Sequence, residues 1–70
     1  MVDVELLKQY IDTSGVSVTH IATAAGMSRE TFYKRLANPT FRVSEVQSIS
    51  ETLHLSKDDF MRIFFAKNVN

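Results

Sequence analysis

The sequence is poor in the residues that staple, break or anchor a chain. Cysteine is absent from its 70 residues, which excludes disulfide staples and thiolate metal sites and is compatible with a reducing compartment. Two glycines and one proline, with 44% apolar and 23% charged residues, describe an ordered globular chain, not a disordered or low-complexity one. No apolar run approaches the ~20 residues of a membrane span. The start, Met1-Val2-Asp3-Val4-Glu5, lacks the basic residues of a signal peptide. The expectation is one soluble, cytoplasmic domain over residues 1–70 with no membrane partner. A chain this short buries only roughly 60% of its unfolded surface, so its stability, about 4 to 10 kcal/mol, must come from the core alone.

Net charge is also missing, being zero overall, but it is unevenly distributed. Asp3, Glu5 and Asp12 against Lys8 make residues 1–26 negative. Arg29, Lys34, Arg35 and Arg42 against Glu30 make residues 27–43 positive. Glu45, Glu51, Asp58 and Asp59 against Lys57 restore a negative segment, and Arg62 and Lys67 end the chain positive. One basic segment on a neutral chain suits local contact with phosphate better than long-range steering.

What is present is helical periodicity, without sustained two-residue alternation, so the fold class is all-α. Val4, Leu7 and Ile11 recur on one face, with Ser14-Gly15 as a stop, which predicts a helix from about Asp3 to Ser14. Ser17, Ser28 and Ser56 each read as an N-cap, because a hydroxyl accepts the unpaired N–H groups of a first turn. Each carries a hydrophobic-staple pair around it: Val16 with Ile21, Met27 with Phe32, Leu55 with Phe60. Ser44 with Gln47 matches a capping box ahead of Val46, Ile49 and Leu53. The expected further helices are residues 18–25, 29–37, 45–54 and 57–66. Between the third and fourth, Pro39 forbids helix, and Phe41 and Val43 are expected to pin the loop to the core.

The second helix is short and built of small residues, and Gly26-Met27-Ser28 leads from it directly into the third. Glycine suits that junction because the left-handed conformation at a helix C-terminus costs it no Cβ clash. Ala22 leaves room for a crossing helix, and Phe32 and Leu36 lie one turn apart to fill that room. Ile21, Ala22, Gly26, Met27 and Phe32 thus stand where a helix-turn-helix, about residues 18–37, needs them.

In these residues, and in Phe41-Arg42-Val43-Ser44-Glu45-Val46-Gln47, the sequence resembles the small DNA-binding domains of phage repressors and Cro proteins, the XRE family of helix-turn-helix regulators. The resemblance spans roughly residues 4–66. It implies a five-helix lambda-repressor-like domain and a transcriptional regulator that occupies a double-stranded DNA operator, with no cofactor and no small-molecule substrate. The third helix would enter the major groove, N-terminal residues toward the bases, with the second helix across the backbone.

The residues themselves fit that placement. With Phe32 and Leu36 inward, Arg29, Glu30, Tyr33 and Lys34 form one outward arc. Arg29 suits bidentate pairing with guanine, Glu30 accepts from cytosine N4, and Lys34 reaches a guanine or a phosphate. Tyr33 is either half-buried packing or a contact to DNA. Ser17, Thr19, Ser28, Asn38, Thr40 and Arg42 are the candidates for phosphate contacts. Arg35 is expected at the surface or the phosphate backbone, not on a base. The plain alternative is a solvated face with Glu30 and Lys34 as an i,i+4 pair.

Catalysis has no candidate residues. His20 and His54 lack partners at metal-ligand spacing, so no metal site is expected. Asp58-Asp59 serves a helix dipole more simply than acid–base chemistry, and no nucleophile–base pair is apparent, so the chain is not expected to be an enzyme. The last helix has two apolar stripes: Phe60, Ile63 and Phe64 for the core, and Met61 with Phe65 for either a homodimer or closure over the loop and first helix. The competing functional reading is a protein-interaction module, a repressor partner or antirepressor, on the same fold.

Overall fold

Serine hydroxyls open three of the five helices found among residues 1–66, the part of the chain that the computed structural model describes. The helices are α1 (Val4–Ser14), α2 (Val18–Ala24), α3 (Arg29–Ala37), α4 (Val43–Thr52) and α5 (Lys57–Phe64). Ser17, Ser28 and Ser56 accept the N–H groups of His20, Thr31 and Asp59, each across 3.1 Å. Asp3 does the same for Leu6 at the head of α1. The described residues contain no strand, so the all-α class expected from periodicity is the class observed.

The apolar stripes meet in one core. Leu7 and Ile11 of α1, Ile21 and Ala22 of α2, Phe32 and Leu36 of α3, Ile49 of α4, and Ile63 and Phe64 of α5 are all buried. Full burial of a side chain of this size stabilises by about 1.5–3 kcal/mol before conformational entropy is charged against it. α2 packs on both α3 and α4, while α1 packs on α5. The first residues are tied to the end of α5 as well, since Asp3 N–H donates to Ile63 C=O at 2.6 Å and Ala66 N–H to Met1 C=O at 3.0 Å.

Asp59 does more than face a helix dipole. Tyr10 donates its hydroxyl to the Asp59 carboxylate at 2.5 Å, and Arg62 donates to the same carboxylate and to the Tyr10 oxygen. The Tyr10 bond and then the Arg62 bond hold the Asp59 carboxyl below its usual range. α1 and α5 are thereby bridged by polar groups outside the core that joins them.

The entry into α4 corrects the sequence expectation. The helix starts at Val43 with Arg42 as its N-cap, and Ser44 lies inside the first turn, where it is not the cap. An arginine side chain has no acceptor with which to cap, so the bond comes from the other direction: Glu45 accepts the Arg42 N–H at 2.8 Å. Val43 does not pin the loop, being 85% exposed. Phe41 does that work alone, its ring 6.1 Å from Phe32 and 6.5 Å from Phe64. α4 ends at Thr52, two residues short of expectation. α2 stops at Ala24 because Ala25 is its cap, and α5 stops at Phe64 with Phe65 as its cap.

Candidate nucleic-acid interface

α2 and α3 are joined by four residues, Ala25 to Ser28, whose geometry is set by backbone bonds. Gly26 takes φ +75°, Met27 N–H donates to Ala22 C=O at 3.0 Å, and Gly26 N–H donates to Thr23 C=O at 3.0 Å. That double closure is the Schellman arrangement, which uses the last orphan carbonyls of a helix and requires a left-handed residue at its centre. The same closure ends α4, where Leu55 N–H donates to Ser50 C=O and His54 N–H to Glu51 C=O, with His54 at φ 53°. Ser28 then caps α3 at once and donates its own proton to Thr31 Oγ1 at 2.9 Å. The direction of α3 is therefore fixed by the turn and by the buried Phe32 and Leu36.

With those two inward, the remaining faces of α3 are polar. Arg29, Glu30, Tyr33 and Lys34 are all exposed and lie on the arc opposite the core. The Arg29 guanidinium carbon stands 5.6 Å from the centre of the Tyr33 ring, within reach of a cation–π attraction. Tyr33 meets the buried Phe32 edge-on at 6.4 Å and is 46% exposed. Of its two expected readings the packing one is observed, since one edge of the ring rests on Phe32, and the ring also lies under the Arg29 guanidinium. Lys34 and Glu30 form an ion pair at 3.5 Å with both side chains largely exposed, a contact worth only a few tenths of a kcal/mol.

Arg35 lies apart from that arc. It is partly buried and pairs with Glu45, the one buried charged residue among the described residues. Glu45 also accepts the Arg42 N–H, so its carboxylate joins the last turn of α3 to the first turn of α4. The Arg42 N–H first, and the Arg35 guanidinium with it, hold the Glu45 carboxyl below its ordinary range against the opposing effect of burial. No sequence rule flagged this pair. The spacing Arg42-x-x-Glu45 was the available signal, since glutamate at the third helical position is half of a capping box.

The six candidates for phosphate contact are all exposed. Ser17 and Thr19 stand at the start of α2, and Ser28 heads α3. Asn38, Thr40 and Arg42 occupy the loop between α3 and α4. The Ser17 and Ser28 oxygens are already engaged as caps. The two dimer candidates, Met61 and Phe65, are 47% and 58% exposed and line a shallow groove with Asp3 and Leu6. Phe65 also borders an open apolar groove of about 560 Å³ with Val2, Phe41, Val43, Val46 and Phe60.

Among the described residues no group of three or more His, Asp or Glu side chains is placed to hold a metal ion. No described helix is long and apolar enough to cross a membrane. No protein-family model matches the chain, and comparison with curated proteins and with solved structures finds no match.

Proposed function

We propose that the chain is a helix-turn-helix protein of the lambda-repressor-like type that binds double-stranded DNA sequence-specifically and regulates transcription by occupying an operator. The observation that carries this reading is the form of α3: a helix aimed by a glycine turn, anchored by Phe32 and Leu36, and presenting Arg29, Glu30, Tyr33 and Lys34 on its free side. Arg29 and Lys34 have the donors for guanine, and Glu30 has the acceptors for cytosine N4. Ser17, Thr19, Ser28, Asn38, Thr40 and Arg42 would hold the register through phosphates.

Pairing of Lys34 with Glu30 and of Arg35 with Glu45 leaves Arg29 and Arg42 as the cations of this region without an acidic partner among the described residues. Affinity per protomer would then rest on few phosphates. A homodimer through Met61 and Phe65 would compensate by placing two recognition helices about 34 Å apart on a near-palindromic site. Selection of bound sequences from a random duplex pool tests the reading: an enriched motif with two half-sites supports it, and an unenriched pool refutes it.

The apolar groove beside Phe41 and Phe65 favours a second reading, a module that binds a repressor or an antirepressor through this face. The same selection separates the two, because a protein-binding module enriches no DNA sequence.

A further inference from the structure

A buried carboxylate needs a reason, and Glu45 has two donors on a single oxygen. It is 8% exposed, and its Oε1 accepts from the Arg42 backbone N–H at 2.8 Å and from Arg35 Nη1. Arg35 belongs to the last turn of α3, Arg42 closes the loop, and Glu45 belongs to the first turn of α4. The carboxylate is thus the polar joint of three segments. Phe41, the residue before Arg42, supplies the apolar joint through its contacts with Phe32 and Phe64.

The Arg42 side chain is exposed, while its backbone is fixed. On a duplex, phosphates stand at set distances from base edges, so a loop cation helps only if it is held at a set distance from the helix that reads the bases. The bonds to Glu45 fix that distance, since Arg35 rides on α3 and the Arg42 N–H on the loop. Arg35 is at the same time withdrawn from phosphate contact.

From this geometry we infer that Glu45 is a positioning residue for DNA binding, which holds Arg42 in register with α3 so that its side chain meets a phosphate while α3 meets the bases. The inference rests on the DNA reading above. It assigns a role to a residue that touches no DNA, and it makes the effect of Arg42 conditional on Glu45.

The test measures the cost of Arg42→Ala in three backgrounds of the full chain, by anisotropy titration of a duplex that the wild-type chain has selected from a random pool. Because Arg35 is released in Glu45→Ala and can take the phosphate that Arg42→Ala vacates, that comparison is repeated with Arg35→Gln in both members, where the factor should still fall below about twofold and a return to about tenfold overturns the inference. In the wild-type background Arg42→Ala should weaken binding by about tenfold. In Glu45→Gln, which keeps an oxygen for the Arg42 N–H, the factor should stay near tenfold. In Glu45→Ala it should fall below about twofold, the two losses being coupled through one contact. Circular dichroism at the assay temperature verifies that each variant is helical; if Glu45→Ala is not, Glu45→Asp, whose shorter carboxylate cannot reach both donors, replaces it with the same expectation. An equal Arg42→Ala factor in all three backgrounds overturns the inference and leaves the DNA reading intact, as does an Arg42→Ala factor near one in the wild-type chain. A wild-type chain that selects no duplex overturns both.

Discussion

The Met27 amide donates to the Ala22 carbonyl across 3.0 Å, and that bond turns the chain from α2 into α3. Its counterpart after α4, Leu55 to Ser50, has the same length and the same pairing pattern. The residue at the centre differs: Gly26 at φ +75° in the first, His54 at φ 53° in the second. A left-handed conformation costs a non-glycine residue on the order of 1 kcal/mol. Gly26→Ala should therefore lower the unfolding free energy by about 1 kcal/mol, and His54→Gly should raise it by about 0.5–1 kcal/mol. A Cβ at Gly26 meets nothing within 4 Å, so the loss at that site is one of backbone conformation. Urea denaturation of both variants measures the two signs.

The corrected start of α4 separates two serines. Ser28 caps α3 through the Thr31 N–H, and Ser28→Ala should cost about 1 kcal/mol. Ser44 lies inside the first turn of α4, exposed, with Arg42 in the cap position, and Ser44→Ala should stay within about 0.5 kcal/mol of the wild-type chain. Thermal unfolding of the pair distinguishes them; a loss at Ser44 as large as that at Ser28 would restore the serine as the cap.

Acid should destabilise the fold through Glu45 and Asp59. Both carboxyls are held below their ordinary range, Glu45 chiefly by the Arg42 N–H and Asp59 chiefly by the Tyr10 hydroxyl. A folded-state pKa below the unfolded one means that the native chain binds protons less readily, so its stability is full above the unfolded value, roughly pH 4. That stability is lost as pH falls through the lower folded value. Urea midpoints measured from pH 6 down to pH 3 should fall steadily, and Glu45→Gln should flatten part of that slope. An unchanged slope in the variant would place the acid sensitivity elsewhere.

Tyr33 and Arg29 should act as a unit on DNA. Removing a base-reading arginine costs about 1–3 kcal/mol of binding and relaxes preference at one base pair, and Arg29→Ala should do both. If the Tyr33 ring matters as a support for the guanidinium 5.6 Å away, Tyr33→Phe should bind like the wild-type chain and Tyr33→Ala should resemble Arg29→Ala. A loss in Tyr33→Phe would assign the role to the hydroxyl instead.

Most of the fold was legible because the signals that set it are local. Ser17, Ser28 and Ser56 cap their helices as their types require, and Gly26 sits at a left-handed turn position that glycine adopts without strain. The expected arc of Arg29, Glu30, Tyr33 and Lys34 is exposed on one side of α3 for the same reason, since Phe32 and Leu36 orient it. What escaped was tertiary. Arg42 stands at the cap of α4 through the local bond of its N–H to Glu45, and the further bond of that carboxylate to Arg35, ten residues earlier, is the part that no local pattern encodes. Val43 points to solvent at the rim of the open groove, and of the two apolar loop residues it is Phe41 that packs against Phe32 and Phe64. Tyr10 reaches Asp59 across 49 positions of sequence, which no local pattern encodes. His54 occupies a glycine conformation, so the usual composition signal for that turn was missing.

Salt dependence of duplex binding tests DNA recognition most directly. The wild-type chain is titrated against a selected, fluorescently labelled duplex at several salt concentrations, and log affinity is plotted against log salt. Counterion release gives a slope near −0.9 for each phosphate neutralised, so Arg42, together with Lys34 where it reaches a phosphate, should give roughly −1 to −2 per protomer, with Arg42→Ala removing about one of those contacts. Absence of binding to any duplex at low salt, or binding with a slope near zero, would contradict a nucleic-acid role for α3.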